Sequence, residues 1–208
     1  AFFSAATAGS VVIDGEVAFG TDVDAPAGQA GGKACVLTFA ADRKRELVVS
    51  HDDLDHVGGA RSVSESVPVA RVQSGQPLAQ LASTRCRAGE KWTWDGVRFS
   101  FLHPGAEAFE RDNDASCVLL VETDGARALL TGDIEAPAET QLLAGGTLSP
   151  VDLLTSPHHG SRTSSTSGFV AATRPRWVVH SIGHRNRWGF PKPEIVERWH
   201  AAGAGQLD

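Results

Sequence analysis

The chain has 208 residues, 41% of them hydrophobic, and a formal net charge of -6 at pH 7. Its apolar content is enough for one well-filled domain over 1–208, while its acidity excludes a module that holds nucleic acid by charge alone. No run approaches the roughly 18 apolar residues of a membrane-spanning helix, and the opening Ala1-Phe2-Phe3-Ser4 lacks the charged start of a secretory signal.

The sequence begins at Ala1 and contains no methionine, so we expect it to be a piece of a longer protein. Its first forty residues are rich in Gly and Ala, with strand-like pieces at Ser10–Ile13 and Glu16–Phe19 and a loose stretch over Thr21–Lys33. From there apolar strands alternate with helical stretches: Leu47–Val49 as strand, Gly59–Glu65 as helix, Val67–Val72 as strand. Asp95-Gly96 joins Trp92–Trp94 to Val97–Leu102, and Asp124-Gly125 joins Cys117–Glu122 to Ala126–Leu130, which predicts two antiparallel hairpins. The remainder reads as helix at Ala136–Leu143, strand at Val151–Thr155, helix at Gly168–Thr173, strand at Trp177–Ser181 and a closing amphipathic helix at Pro193–Ala202.

Ligand-type residues fall at the ends of four of these strands. His51, Asp53, Asp55 and His56 follow Val48-Val49, Asp133 follows Leu129-Leu130, His158 and His159 follow Leu153-Leu154, and His184 follows Val178-Val179. Carboxyl ends of parallel strands converge on a common crevice, so these positions are expected to meet. The spacing of the first group suits a tight loop supplying N and O ligands, and two metals about 3.5 to 4 Å apart would activate water for attack on a phosphate or carbonyl. Gly58-Gly59 would then let a helix start near the ions, its amides facing a bound anion. The plainer alternative is that the aspartates only cap a helix.

Here the residues resemble a known family. His51-Asp52-Asp53-Leu54-Asp55-His56-Val57-Gly58-Gly59 resembles the HxHxDH signature of the metallo-β-lactamase superfamily, with Asp53 in place of its second histidine. Added to Leu130-Thr-Gly-Asp133-Ile-Glu135, Pro157-His-His-Gly-Ser161, Asp112-Asn-Asp-Ala-Ser116-Cys117 and Gly183-His-Arg-Asn-Arg-Trp-Gly-Phe-Pro191, it looks like the C-terminal domain of the ComEC competence family. The resemblance covers about residues 45–200, with weaker matches at Ile13-Asp14-Gly15 and Phe19-Gly20. It implies an α/β fold, the αββα sandwich of two mixed sheets flanked by helices. The family's Val-Gly-Gln-Gly segment is not recognisable in Ala1–Gly9, which leaves the first strand incomplete or altered.

The resemblance implies His51 and Asp53 on one metal, Asp55 and His56 on the second, and Asp133 bridging, with His158 or His159 as further ligand or general acid. Near Asp112, Asn113 and Asp114, where the superfamily has another histidine, any ligand is oxygen-based. Relatives carry tyrosine at His184 and histidine at Phe190; His184 either takes a metal or acid role or bonds a loop. Carboxylate for imidazole at Asp53 hardens the site, so of two divalent ions manganese is favoured over zinc. Arg162, Thr163 and Ser164, and Arg185, Asn186 and Arg187, are candidate phosphate-holding residues. Among Trp177, Trp188 and Trp199, packing is the expected role, with Trp188 the one candidate for the site. Cys35, Cys86 and Cys117 lack zinc-ribbon spacing and read as buried thiols; in an oxidising compartment Cys86 and Cys117, both beside strand-like segments, are the expected pair.

The resemblance implies a metal-dependent DNase acting on DNA, single-stranded by preference, that degrades the strand not imported during transformation. Its partners would be that DNA and the membrane channel of the parent protein, on the periplasmic or extracellular side, with no small-molecule cofactor. Two alternatives are a noncatalytic DNA-guiding or assembly domain, and a hydrolase of the same fold acting on esters or lactones.

Overall fold

The computed structural model describes the backbone of four N-terminal strands and residues 45–208 except 67, 107, 108, 110, 111, 184 and 185. The chain forms two compact units, Ala1–Cys86 and Arg87–Asp208, each built on one seven-stranded sheet.

The first unit lays its strands side by side in chain order: β1 (Phe3–Ala6), β2 (Ser10–Ile13), β3 (Val17–Thr21), β4 (Lys33–Thr38), β5 (Arg45–Val49), β6 (Arg71–Ser74) and β7 (Thr84–Arg85). Pairing is antiparallel from β1 to β5 and parallel from β5 to β7. The change of direction needs a crossover, supplied by α1 (Leu54–Val57) and α2 (Ala60–Ser66). Leu47 and Val49 of β5 pack with Val57, Ala60 and Leu78 in this unit's core. Glu46 is also buried in β5, and it faces Arg71 across the ladder, which gives the buried carboxylate its countercharge.

Several sequence expectations shift here. Phe3–Ala6 and Lys33–Thr38, not read as strands, pair as β1 and β4, and β3 runs two residues beyond the expected Phe19. The rest of the loose Thr21–Lys33 stretch, and Asp14-Gly15, lie outside the described residues. Of the strand expected over Val67–Val72, Val67 lies outside the described residues and β6 begins at Arg71, after Pro68, which has no amide to give a ladder. Most consequential, the helix expected to open at Gly59 is preceded by α1, which begins inside the ligand motif.

The second unit's sheet has the order β14-β13-β12-β11-β10-β9-β8. Its antiparallel half holds β8 (Lys91–Trp94), β9 (Val97–His103), β10 (Val118–Glu122) and β11 (Arg127–Leu130); its parallel half continues through β12 (Leu153–Thr155), β13 (Trp177–Val179) and β14 (Gly205–Leu207). The crossovers are α3 (Ala136–Ala144), α4 (Ser167–Thr173) and α5 (Pro193–Ala201). Leu120, Leu129, Leu154 and Val178 of the sheet pack with Ile134, Leu142, Phe169, Ile195 and Trp199 in one core.

Both hairpins form, with different turn chemistry. Asp95 (φ 46°) and Gly96 (φ 80°) both take positive φ, the requirement of a tight primed turn. At the second, the Thr123 hydroxyl oxygen accepts from the amides of Gly125 (3.3 Å) and Ala126 (3.0 Å), so a threonine side chain makes the turn. The strand expected from Val151 starts only at Leu153, because the Val151 amide bonds the Thr173 carbonyl and the Asp152 carboxylate takes the Arg127 amide. Trp199 is fully buried, whereas Trp177 is 41% exposed and lies over Gly205, where a Cβ would fall 2.3 Å from its ring.

Cys86 and Cys117 are both disulfide-bonded rather than free thiols. No helix among the described residues is long and apolar enough to cross a membrane.

Candidate metal centre

In the first unit the ligand-type residues occupy the turn between β5 and α1. Asp53 stands at the N-cap position of α1, and its backbone carbonyl accepts from His56 and Val57. Its side chain makes no capping bond; instead Oδ2 lies 3.3 Å from His51 Nε2. The capping alternative therefore fails for Asp53. Asp55 Oδ2 lies 3.6 Å from His56 Nε2, giving a second imidazole–carboxylate pair one turn away. The rings of His51 and His56 are buried, with centroids 4.2 Å apart, while both aspartates are more than half exposed. Ser50, quoted in the motif but given no role from sequence, places its hydroxyl 3.1 Å from His51 Nδ1 and 2.9 Å from His56 Nδ1. One hydroxyl thus orients both rings so that each Nε2 points toward a carboxylate.

In the second unit the parallel strands bring three of their carboxyl ends together. Asp133 follows β11, the histidine pair follows β12, and Ser181 follows β13. The histidine left open as ligand or acid by the sequence divides clearly. His159 Nδ1 lies 2.8 Å from the Ser181 carbonyl, which can only accept, so Nδ1 carries a proton and Nε2 is the nitrogen turned toward the carboxylate. That Nε2 faces Asp133 Oδ2 at 3.1 Å. His158 turns the other way, with Nδ1 2.9 Å from Glu135 Oε1 and Nε2 4.0 Å from Asp133, and is part exposed. Glu135 is itself held by the Thr163 hydroxyl at 2.7 Å.

Two adjacent imidazoles can diverge this way because the backbone is left-handed at His158 (φ 45°), His159 (φ 55°) and Gly160 (φ 82°). Non-glycine residues in that region cost about 1–3 kcal/mol each and persist where surrounding structure holds them. Here the His158 amide donates to the Gly132 carbonyl and the Gly160 carbonyl accepts from the Lys192 amide. A Cβ on Gly160 would stand 2.6 Å from Pro191 Cβ. Gly160→Ala is therefore expected to lower stability by about 2–3 kcal/mol, a fall of about 5 to 10 °C in melting temperature. An unchanged melting curve would show that the turn tolerates a side chain.

Buried polar groups support the turn from beneath. Asp114 Oδ1 accepts from the amides of Glu135 (2.9 Å) and Ala138 (3.2 Å), capping α3 from a distant segment. That oxygen-based ligand candidate is thereby spent on structure. Glu139 accepts from the amides of Ser165 (2.5 Å) and Thr166 (2.7 Å), tethering the loop after the histidines. His180, just after β13, sets its Nε2 2.8 Å from Gln206 Oε1, and the Gln206 amide nitrogen donates to the Val196 carbonyl. Burial pushes the His180 pKa below its ordinary value, against the opposing pull of Gln206 and Asp208, so it packs as a neutral ring.

The expected phosphate-holding residues scatter. Ser164 is buried and its hydroxyl donates to the Pro157 carbonyl, Thr163 serves Glu135, and Arg162 pairs with Glu194. Asn186 closes its own loop, and Arg187 lies over the Trp188 ring. His184 and Arg185 lie outside the described residues. Phe190, noted from sequence only as a departure from relatives, packs its ring on both histidines, with centroids 5.7 Å from His158 and 6.1 Å from His159.

The donor chemistry fits divalent ions. Imidazole nitrogens and carboxylate oxygens are their usual ligands, and the His159–Asp133 contact sets an imidazole nitrogen against a carboxylate oxygen. Two electron-rich atoms at 3.1 Å call for a cation between them or a proton on the ring.

Comparison with known proteins agrees. The sequence model of the Metallo-beta-lactamase superfamily matches residues 19–184. The chain is 36% identical to Recombination protein 2 of Haemophilus influenzae over 178 residues, covering 82% of this chain and 22% of that protein. It is 39% identical to Competence protein ComA of Neisseria gonorrhoeae over 163 residues, covering 77% of this chain and 23% of that protein. The chain thus spans about a fifth of the length of the curated relatives it matches. Among solved structures, the metallo hydrolase Igni18 of Ignicoccus hospitalis shares the fold at a TM-score of 0.52 and 15% identity, covering 84% of this chain and 90% of that one. With the family match spanning the residues that follow β5, β11 and β12, the chain belongs to the metallo-β-lactamase superfamily and has its fold of mixed sheets flanked by helices.

Proposed function

We propose that the chain is a metal-dependent phosphodiesterase that hydrolyses DNA. The observation that carries this reading is the His159–Asp133 pair, an imidazole nitrogen and a carboxylate oxygen 3.1 Å apart, with the ring's other nitrogen tied to the Ser181 carbonyl. In this reading His51, Asp53, Asp55 and His56 of the first unit, and Asp133 and His159 of the second, are the residues that would hold divalent ions, whose chemistry when bound would be to activate water and offset charge on a phosphate. His158, held at Nδ1 by Glu135, presents Nε2 and protonates the leaving oxygen there. Ser50 and Ser181 orient the histidines without touching substrate.

The competence and recombination names of the relatives support DNA as the substrate, and by extension the strand not taken up during transformation. Since those relatives are several times longer, the membrane channel is proposed as the rest of the parent protein. The bonded cysteines suit an oxidising compartment, which supports the periplasmic or extracellular side.

End-labelled single-stranded DNA incubated with the chain and each metal tests the reading. Cleavage is expected, abolished by chelator and restored better by manganese than by zinc, since the carboxylate-rich donor set favours the harder ion. Better restoration by zinc would overturn the manganese preference. Binding without cleavage would point to a guiding domain, and neither would point to an ester or lactone hydrolase.

A further inference from the structure

The loop after β13 ends in a stiff tip that carries an unburied indole. Asn186 clips it shut, its side-chain nitrogen donating to the Phe190 carbonyl (2.9 Å) and its oxygen accepting the Phe190 amide (2.8 Å). At the tip Trp188 is 62% exposed. Tryptophan normally spends its large apolar face on packing, and Trp199 of this unit is fully buried. Around the exposed ring the loop gathers positive charge: the Arg187 guanidinium lies 4.6 Å from the Trp188 centroid, and Lys192 Nζ donates to the Trp188 carbonyl at 2.6 Å while sitting 4.9 Å from the Phe190 ring. Phe190 in turn packs on His158 and His159. Two residues of chain span at most about 7 Å, so the backbone that carries the indole stands within that reach of the residue whose ring touches both histidines.

We infer that Trp188 is a stacking platform for a nucleobase of single-stranded DNA, with Arg187 and Lys192 drawing in the neighbouring phosphates, an inference that rests on the phosphodiesterase reading above. An aromatic face beside cations is the recurrent means of holding single strands without reading sequence, since every base offers a π-face. A duplex keeps its bases stacked inside and offers that face nothing. The tip therefore selects single strands over duplexes, and does so in a chain whose net charge of -6 gives little electrostatic hold elsewhere.

Fluorescence anisotropy of a labelled oligothymidylate with the 208-residue chain in chelator tests this without cleavage. Trp188→Ala is expected to raise the dissociation constant about 5- to 100-fold, with Trp188→Phe recovering most of the loss. On an abasic strand of equal length the effect of Trp188→Ala should shrink to less than about twofold. Equal binding of oligothymidylate by the wild type and Trp188→Ala would overturn the inference, as would a loss seen only on vesicles of phosphatidylserine and phosphatidylcholine, which would make Trp188 a membrane contact. If the wild type cuts the oligonucleotide but Trp188→Ala binds it equally well, only this inference falls. If the wild type neither binds nor cuts it, the phosphodiesterase reading falls too.

Discussion

Asp133→Asn is expected to reduce metal-dependent cleavage of single-stranded DNA by at least about 100-fold, since changes even behind the ligands of a metal site cost 10- to 100-fold. The substitution keeps shape and volume. It also leaves the Asp133 amide free to donate to Ser116 Oγ at 3.2 Å, so the backbone after β11 has no reason to move. What changes is charge and donor set: the oxygen that faces His159 Nε2 at 3.1 Å becomes part of a neutral amide. Circular dichroism should show an intact fold, and calorimetric titration with manganese should show weakened binding. Retention of full cleavage with unaltered metal affinity would remove Asp133 from the centre and the proposed chemistry with it.

Glu139→Ala should cost about 3 kcal/mol of stability, because it strands two donors, the amides of Ser165 and Thr166, in a place where each unmet bond costs about 1–3 kcal/mol. Part of that is returned, since burial of the carboxylate disfavours its charged form. Burial raises the Glu139 pKa above the ordinary carboxylate value, opposed by hydrogen bonds from Thr166 and Ser165 and by the charge of Arg198. A folded-state pKa above the unfolded one means that the folded chain binds the proton more tightly. Its stabilising contribution is thus complete below the unfolded glutamate pKa and is lost as pH rises through the folded value. Urea unfolding of the wild type across that window should show stability falling from this group, and Glu139→Gln should flatten that part of the profile. The loop tethered by Glu139 carries Thr163, which holds Glu135 against His158, so Glu139→Ala should also slow cleavage. A variant as stable as the wild type would show that the tether is dispensable.

Much of the chain was legible beforehand because its signals are local. Asp95-Gly96 announced a turn that needs positive φ at both positions, and the structure has it. The apolar run Leu47-Val48-Val49 announced a buried strand, and all three residues are buried in β5. Weaker segments were not legible. Lys33–Thr38 and Gly205–Leu207 become strands through pairing with β3, β5 and β13, so their state is decided by neighbours remote in sequence. Pro68 delayed β6 because a missing amide outweighs a favourable apolar pattern.

The ligand set divides along the same line. Which residue types could take metals, and that they stand at strand ends, follows from sequence by itself, since donor chemistry and period-two hydrophobicity are properties of residues and their order. Which of His158 and His159 faces Asp133 does not, because neighbours in sequence share every compositional feature. That choice rests on left-handed backbone at both positions, on the Ser181 carbonyl from β13's end, and on Glu135 from β11's end. The same is true of Asp114, whose acidity suggested a ligand and whose contacts make it a helix cap. A tautomer, a ring orientation or a cap is set by hydrogen bonds between segments far apart in the chain, and only the tertiary structure brings those segments into reach.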